Sequence, residues 1–222
     1  MLKPHQKAFS LIELLVVMGI IGILAALLFP AIAKAPSRAK QQVCSSNLQQ
    51  LGVAFHAFAH DHGDRFPQSL PSSEGGVSDF NARSPAFGAV YLVNPWVFRA
   101  LSNELGSPRV LKCPSGPQRQ SSSFVQLNVS NISYFAYLNA IFLRSDSLLG
   151  GDNNLVIVQS TNGPVSVRPG VVPAYEWSKD RHEGRGNVLR GDGSVHLQRN
   201  LPATTRLPIQ RFPISGPRAP AP

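Results

Sequence analysis

The sequence predicts an α+β fold, one long N-terminal helix followed by a small antiparallel sheet, on three observations. Residues 14–33 are 20 consecutive positions without a charge. Cys44, Leu48, Leu51, Phe55 and Phe58 recur at spacings of four, three, four and three, which is one face of an α-helix. Near the C-terminus, residues 187–190 and 194–198 flank Gly191-Asp192-Gly193. An Asp-Gly turn accepts the positive φ that lets two strands reverse tightly.

The uncharged run, as a helix rising about 1.5 Å per residue, spans roughly 30 Å, the thickness of a bilayer core. Glu13 is the only charge between Ala8 and Ala33. An acid at the edge of such a run costs about 2.5–3.5 kcal/mol if it enters hydrocarbon unpaired, so a chain that keeps it calls for a partner. Pro30 and Pro36 are expected to disturb the helix, because each lacks a backbone N–H and crowds the carbonyl four residues earlier. Beyond them the apolar stripe lies opposite Lys40, Gln41, Ser45, Gln49 and Gln50, a solvent-compatible face. Gly63 and Pro67 end this second stretch.

Residues 68–90 are rich in Ser, Gly and Pro and read as a loop. Residues 94–105, with Trp96 and Phe98, read as a short helix, and Lys112-Cys113-Pro114-Ser115 as a turn. Residues 133–138, 155–160 and 165–172 read as strands from their aromatic and β-branched content. From residue 201 onward there are six prolines, and a tail so poor in donors and apolar side chains is expected to be disordered.

The chain has 222 residues and a net charge of +9. Apart from its ends, that length leaves room for one domain of ordinary size. Basic residues flank both sides of the apolar run, so charge bias alone does not orient it. No C-x-x-C, H-E-x-x-H or G-x-S-x-G motif is present, which leaves zinc-knuckle, redox-dithiol, metalloprotease and serine-hydrolase readings unsupported. No catalytic residue is expected. His56 and His60, four apart, share a helix face that can bind a transition metal. With Asp61, His62 and Asp64 they also read as a solvated helix end, and that reading is preferred. His182 and Asp192 read as structural, the imidazole bonding to hairpin backbone. Gly19, Gly22, Ala25 and Ala26 fit close helix packing in an apolar medium, or simply ordinary membrane composition.

The N-terminal stretch Ala8-Phe9-Ser10-Leu11-Ile12-Glu13 resembles the start of type IV prepilins and type II secretion pseudopilins. A short basic leader, a small residue, Phe-Ser-Leu-Ile-Glu and an apolar helix coincide over residues 8–33. A secretory signal peptide ending at Ala31 and Ala33, or a plain anchor, leaves the acid after Phe-Ser-Leu-Ile without a reason. The resemblance implies a leader at 1–8, cleavage between Ala8 and Phe9, and N-methylation of Phe9 by the prepilin peptidase. Glu13 becomes the fifth residue of the mature chain, where its carboxylate neutralises the amine of a neighbouring subunit. Pro30 falls where many members have a helix-breaking proline. One departure is Ala8, where the family usually has Gly.

A second resemblance lies further on. His182, nine residues, then Asp192-Gly193 looks like the H-x9-D-G ending of a large family of bacterial prepilin-like proteins. Asn47-Leu48-Gln49-Gln50-Leu51-Gly52, Phe66-Pro67 and Cys113-Pro114-Ser115 also match it. Together the resemblances imply a pilin-like fold, with a transmembrane and assembly helix at 9–33, a periplasmic globular domain at 34–200 and a Pro-rich tail at 201–222. The protein would sit in the bacterial inner membrane by a single pass, and could be extracted from it into a filament. In that oxidising compartment Cys44 and Cys113 either pair as one disulfide or remain two buried thiols. Related major pseudopilins bind calcium in their C-terminal sheet, and Asp152, Asn153 and Asn154 offer oxygen ligands. A spaced acidic loop is lacking, so no cofactor is expected and Ca²⁺ is the one candidate.

Loss of the leader removes two lysines and no acid, leaving 19 basic against 12 acidic residues, +7. The expected function is a structural subunit, a pseudopilin like the major pseudopilin G, of a type II secretion or type IV pilus-like filament. Its partners would be copies of itself, other pseudopilins, the prepilin peptidase and the inner-membrane assembly platform. The alternative is a minor pilin-like binding module of a DNA-uptake or adhesion system. The dispersed basic residues show no aromatic interleaving, so nucleic acid is not an expected partner.

Overall fold

The computed structural model describes residues 10–81, 91–138, 140–157 and 175–200. The leader, Ala8, Phe9, residues 165–172 and the Pro-rich tail therefore lie outside the described residues. The first helix, α1 (Leu11–Asp61), is 51 residues long, about 77 Å at 1.5 Å per residue. It runs uninterrupted through Pro30 and Pro36, so the expected disturbance does not end it. Each proline removes one N–H from the ladder, and the rest of the run sustains the helix.

The two halves of α1 differ. From Cys44 onward it buries Cys44, Leu48, Leu51, Ala54, Phe55, Phe58 and Ala59, the expected stripe with two small residues added. It stops where Gly63 and Asp64 turn left-handed, at φ 64° and 60°. The N–H groups of His62 and Asp64 both donate to the Ala59 carbonyl, at 3.0 and 2.8 Å.

Short elements follow. α2 (Ser78–Asn81) and the 3-10 turns Pro67–Ser69 and Ser72–Glu74 occupy the described part of the stretch expected to be a loop. β1 (Tyr91–Leu92) leads to α3 (Pro95–Ala100), whose first turn is capped by Asn94 accepting from the Trp96 N–H. α4 (Ser102–Leu105) follows, so the single helix expected over 94–105 is two, parted at Leu101. A 3-10 turn at Pro108–Leu111 delivers Cys113.

The remaining strands are β2 (Tyr134–Tyr137), β3 (Leu148–Asp152), β4 (Leu155–Ile157), β5 (Tyr175–Trp177), β6 (Gly186–Arg190) and β7 (Val195–Gln198). They form a five-stranded antiparallel sheet in the order β1-β2-β3-β6-β7 and a separate β4-β5 pair. The hairpin register sets Leu189 opposite Val195 and Val188 opposite His196. Gly193 has φ 84°, the positive φ expected of this turn.

Side chains alternate across a strand, and β2 shows it. Tyr134 and Ala136 join Leu149, Leu189 and the α1 stripe in the main core. Phe135 and Tyr137 face the other way, into a smaller cluster with Leu148, Val188 and Trp177. The sheet is thus covered on both faces, by α1 on one and by Trp177 of β5 on the other.

Two glycines permit this packing. A Cβ on Gly52 of α1 would stand 2.9 Å from Leu189 Cδ1, and one on Gly151 of β3 would stand 2.7 Å from the Asn187 carbonyl oxygen and 3.0 Å from the Phe135 ring. At Gly151 the strands approach too closely for a side chain, whereas at Gly52 the neighbour is the movable end of Leu189.

Candidate functional site

The first candidate site is the bare half of α1. Leu11–Phe29 is apolar enough to cross a membrane, with a mean hydropathy of 2.8, and none of it is buried within the chain. Even Val17, the least exposed large apolar side chain of the run, is 46% exposed. A Cβ added at Gly19 or Gly22 would meet nothing within 4 Å, so the chain's own packing does not require those glycines.

Glu13 stands in the first turn, and its Oε2 accepts the backbone N–H of Ser10 at 2.9 Å. Ser10 is the N-cap residue, extended at ψ 140°. Ser-x-x-Glu is the capping-box signature, legible in the sequence at residues 10–13 and giving Glu13 a local role beyond its charge. Phe9, the other half of the expected pairing, lies outside the described residues.

The second candidate site is a buried polar knot where the helix, the sheet and two loops meet. Cys44 and Cys113 are joined by a disulfide that bridges 69 positions, with Cα atoms 5.0 Å apart. Of the two states left open by the sequence, the structure has the bridge. Beside it, Asn47 Nδ2 donates to the Lys112 carbonyl at 3.0 Å and the Tyr134 hydroxyl to the Cys44 carbonyl at 3.4 Å. Burial pushes the Tyr134 hydroxyl pKa upward.

His182 lies against this bridge. Its Nε2 is 3.7 Å from Cys113 Sγ and 3.5 Å from Asp152 Oδ2. The same carboxylate oxygen accepts from the Asn187 backbone N–H at 2.7 Å and from Asn187 Nδ2 at 2.8 Å. This corrects the expectation that His182 bonds to hairpin backbone. The carboxylate of Asp152 does that, and the imidazole packs between it and the disulfide.

Arg181 is also buried. Its guanidinium is 3.5 Å from the Ser133 carbonyl and 3.4 Å from that of Asn153. The turn that presents the two residues is left-handed at His182, Glu183 and Gly184, with φ of 50°, 59° and 72°. A non-glycine residue held there costs on the order of 1–3 kcal/mol, which the surrounding contacts must outweigh.

Burial dominates the electrostatics. It pushes Asp152 up to about 6, against the pull of the Asn187 bonds and the Arg181 charge. It pushes His182 down, and Arg181 and Arg185 add to that. It lowers Arg181 as well. A buried charge is tolerated when paired and hydrogen-bonded, and Arg181 is the cation facing Asp152.

The other half of the H-x9-D-G spacing lies elsewhere. Asp192 Oδ1 accepts from the Ser194 N–H at 3.0 Å and from its hydroxyl at 2.7 Å, closing the hairpin turn. His56 on α1 bonds the Gly191 carbonyl through Nε2 at 2.8 Å and so ties the helix to that turn. Burial lowers the His56 pKa and Asp192 opposes the shift. His62 stacks on Phe58 at 3.9 Å between ring centroids and bonds the Phe58 carbonyl, while His60 is exposed. His56 and His62 have separate partners and His60 is exposed, so the three histidines of the helix end are not brought together. Asn154, one of the proposed calcium ligands, donates to the Arg185 carbonyl at 3.1 Å and the Ser178 carbonyl at 3.4 Å.

An unpacked apolar helix that opens on an acid and continues into a sheet-bearing domain defines a helix-anchored protein of pilin type, and comparison with known proteins agrees. Residues 3–29 match the family model of the prokaryotic N-terminal methylation motif. The chain is 44% identical over 56 residues to the type IV major pilin protein PilA of Myxococcus xanthus, covering 25% of this chain and 26% of that one. It is 36% identical over 72 residues to the competence protein ComGC of Halalkalibacterium halodurans, covering 32% of this chain and 70% of the relative. It is 36% identical over 77 residues to the type II secretion system core protein G of Pseudomonas aeruginosa, covering 35% and 51%. No solved structure matches the chain.

The chain belongs to the type IV pilin-like family, whose members are structural subunits and not enzymes. It spans about a quarter of the length of the matched pilin and half that of protein G. The apolar helix and the family together fit a membrane-anchored, single-pass protein.

Proposed function

We propose that this chain is a structural subunit of a type II secretion or type IV pilus-like filament, a pseudopilin resembling core protein G. The carrying observation is the half-helix Leu11–Phe29, long enough for a bilayer and unburied by its own domain. Such a surface needs lipid or other apolar helices around it, and Gly19 and Gly22 give neighbouring helices room. In this reading the prepilin peptidase cuts between Ala8 and Phe9 and methylates the new amine. Glu13 neutralises the amine of a neighbouring subunit, and Pro30 bends the anchor. Residues 9–33 pass between the inner membrane and the filament, residues 34–200 form the periplasmic domain, and residues 201–222 are its Pro-rich tail. Copies of this chain, other pseudopilins and the inner-membrane assembly platform are its partners. The H-x9-D-G residues His182, Asp192 and Gly193 serve the fold.

Mass spectrometry of the N-terminus tests the reading. The expected first residue is Phe9 with one methyl group on its amine. Peptides beginning at Met1, or after Ala33, overturn it. The similarity to a competence protein keeps a second role, as a minor pilin-like module of DNA uptake, open to a direct assay: a salt-steep affinity of the chain for DNA favours it.

A further inference from the structure

We propose that Cys44, Cys113 and His182 form a zinc site, its fourth position open to water, when the Cys44–Cys113 disulfide is reduced. The two sulfurs and the His182 ring nitrogen lie within 4.8 Å of one another, and all three residues are buried. His182 Nε2 is 3.7 Å from Cys113 Sγ and 3.5 Å from Asp152 Oδ2. In a tetrahedral zinc centre with bonds of about 2.0–2.3 Å, neighbouring ligand atoms stand roughly 3.3–3.8 Å apart. The edge between His182 and Cys113 therefore already has the right length. The sulfur–sulfur edge reaches it when the bond opens and the sulfurs part to about 3.8 Å.

The donors suit zinc. Two thiolates and an imidazole are among its usual protein ligands, and the two thiolates balance the charge of the zinc dication. Asp152 Oδ2, 3.5 Å from His182 Nε2 and held by two donations from Asn187, borders the site.

The ligands come from three places: α1, the loop after the 3-10 turn, and the left-handed turn before β6. Cys44 to Cys113 and Cys113 to His182 are each 69 positions apart, so no short zinc spacing announces the site.

The chemistry needs a reductant, and a tertiary phosphine supplies the electrons in vitro. The S–S bond breaks as a P=O bond forms with oxygen from water. Phosphorus loses two electrons, each sulfur gains one, and the water protons become the thiol protons. Zinc then displaces two thiol protons into the buffer. The disulfide and the metal are thus alternative closures of one joint between α1 and the sheet domain.

The test uses the full chain in detergent micelles, reduced with a tertiary phosphine and titrated with zinc against a chromogenic chelator. A parallel titration with cobalt(II) reports ligand type. The expected result is one zinc per chain, with the sulfur-to-cobalt charge-transfer band and intense ligand-field bands of a tetrahedral thiolate site. The oxidised chain should bind none. His182→Ala keeps both thiols and should weaken zinc binding by at least about tenfold and alter the cobalt spectrum. A reduced wild-type chain that takes up no zinc overturns the proposal. So does equal affinity with an unchanged spectrum in His182→Ala, which is also the result if reduction unfolds the chain and only free thiols bind.

Discussion

Glu13 closes the first turn of its own helix, and two substitutions separate that local service from a charge-pairing one. Glu13→Ala removes both the cap, worth about 1 kcal/mol, and the charge. Glu13→Gln removes only the charge, because Gln also serves in a capping box. If the carboxylate neutralises a buried amine, an unpaired amine costs on the order of 3–5 kcal/mol. Both variants should then reach the membrane at normal levels and fail to give filaments or crosslinked oligomers. Normal oligomers from the Gln variant would leave Glu13 as a cap alone. Asp152 makes a second prediction at this scale. Its folded-state pKa, about 6, lies above the ordinary 3.8, so between those values the folded chain binds more protons than the unfolded one. Stability from this group therefore rises as pH falls from about 6 to 4. Denaturant titrations at pH 7 and 4.5 should show the wild type gaining on Asp152→Asn as the medium becomes acidic, and a constant difference would refute the assignment. The Asp152–His182 contact was invisible in the sequence, since the H-x9-D-G spacing pointed His182 toward Asp192. Capping was visible at Ser10 and Glu13, but the charge of Glu13 drew attention from its position.

The helix stripe was legible because five apolar residues at a strict helical spacing have one physical reading. Strand β3 was not, because Leu-Leu-Gly-Gly-Asp carries a pair of glycines that propensity assigns to turns. Its glycines are there for contact, not for a turn: Gly151 lies under Phe135 and against the Asn187 carbonyl. Substitution distinguishes the two close approaches. Gly52→Ala meets the end of a flexible leucine side chain and gains about 1 kcal/mol of helix propensity, so its net effect should be near zero. Gly151→Ala meets backbone and an aromatic ring and should cost about 1–3 kcal/mol. Chemical denaturation of the pair reads both, and equal losses would argue against the close approach at β3.

For the molecule as a whole, the sequence indicated a long helix carrying a sheet, and the motif of residues 8–13 carried the family. The second face of the sheet was unforeseen. Its cover, Trp177, comes from a strand pair that leaves between β3 and β6, a long-range arrangement with no local sequence period. Besides the backbone, the disulfide is the covalent cross-link between α1 and the rest. Its removal by Cys113→Ser should lower stability by roughly 2–5 kcal/mol, read as a lower denaturation midpoint under non-reducing conditions. An unchanged midpoint would mean that noncovalent packing alone holds the helix to the sheet.

Cys44 is also the first buried side chain described along α1. Any tension that travels down the bare half-helix enters the domain at that position. In the language of fracture, a joint peels from its leading edge, where stress concentrates, and the bridge is a rivet set at that edge. Pulling on the N-terminus should therefore load a covalent bond before it loads Leu48, Leu51 or Phe55. Single-molecule extension with and without reductant should show the reduced domain unzipping from Cys44 toward Asp61 at low force, and the oxidised domain yielding only when the whole sheet shears.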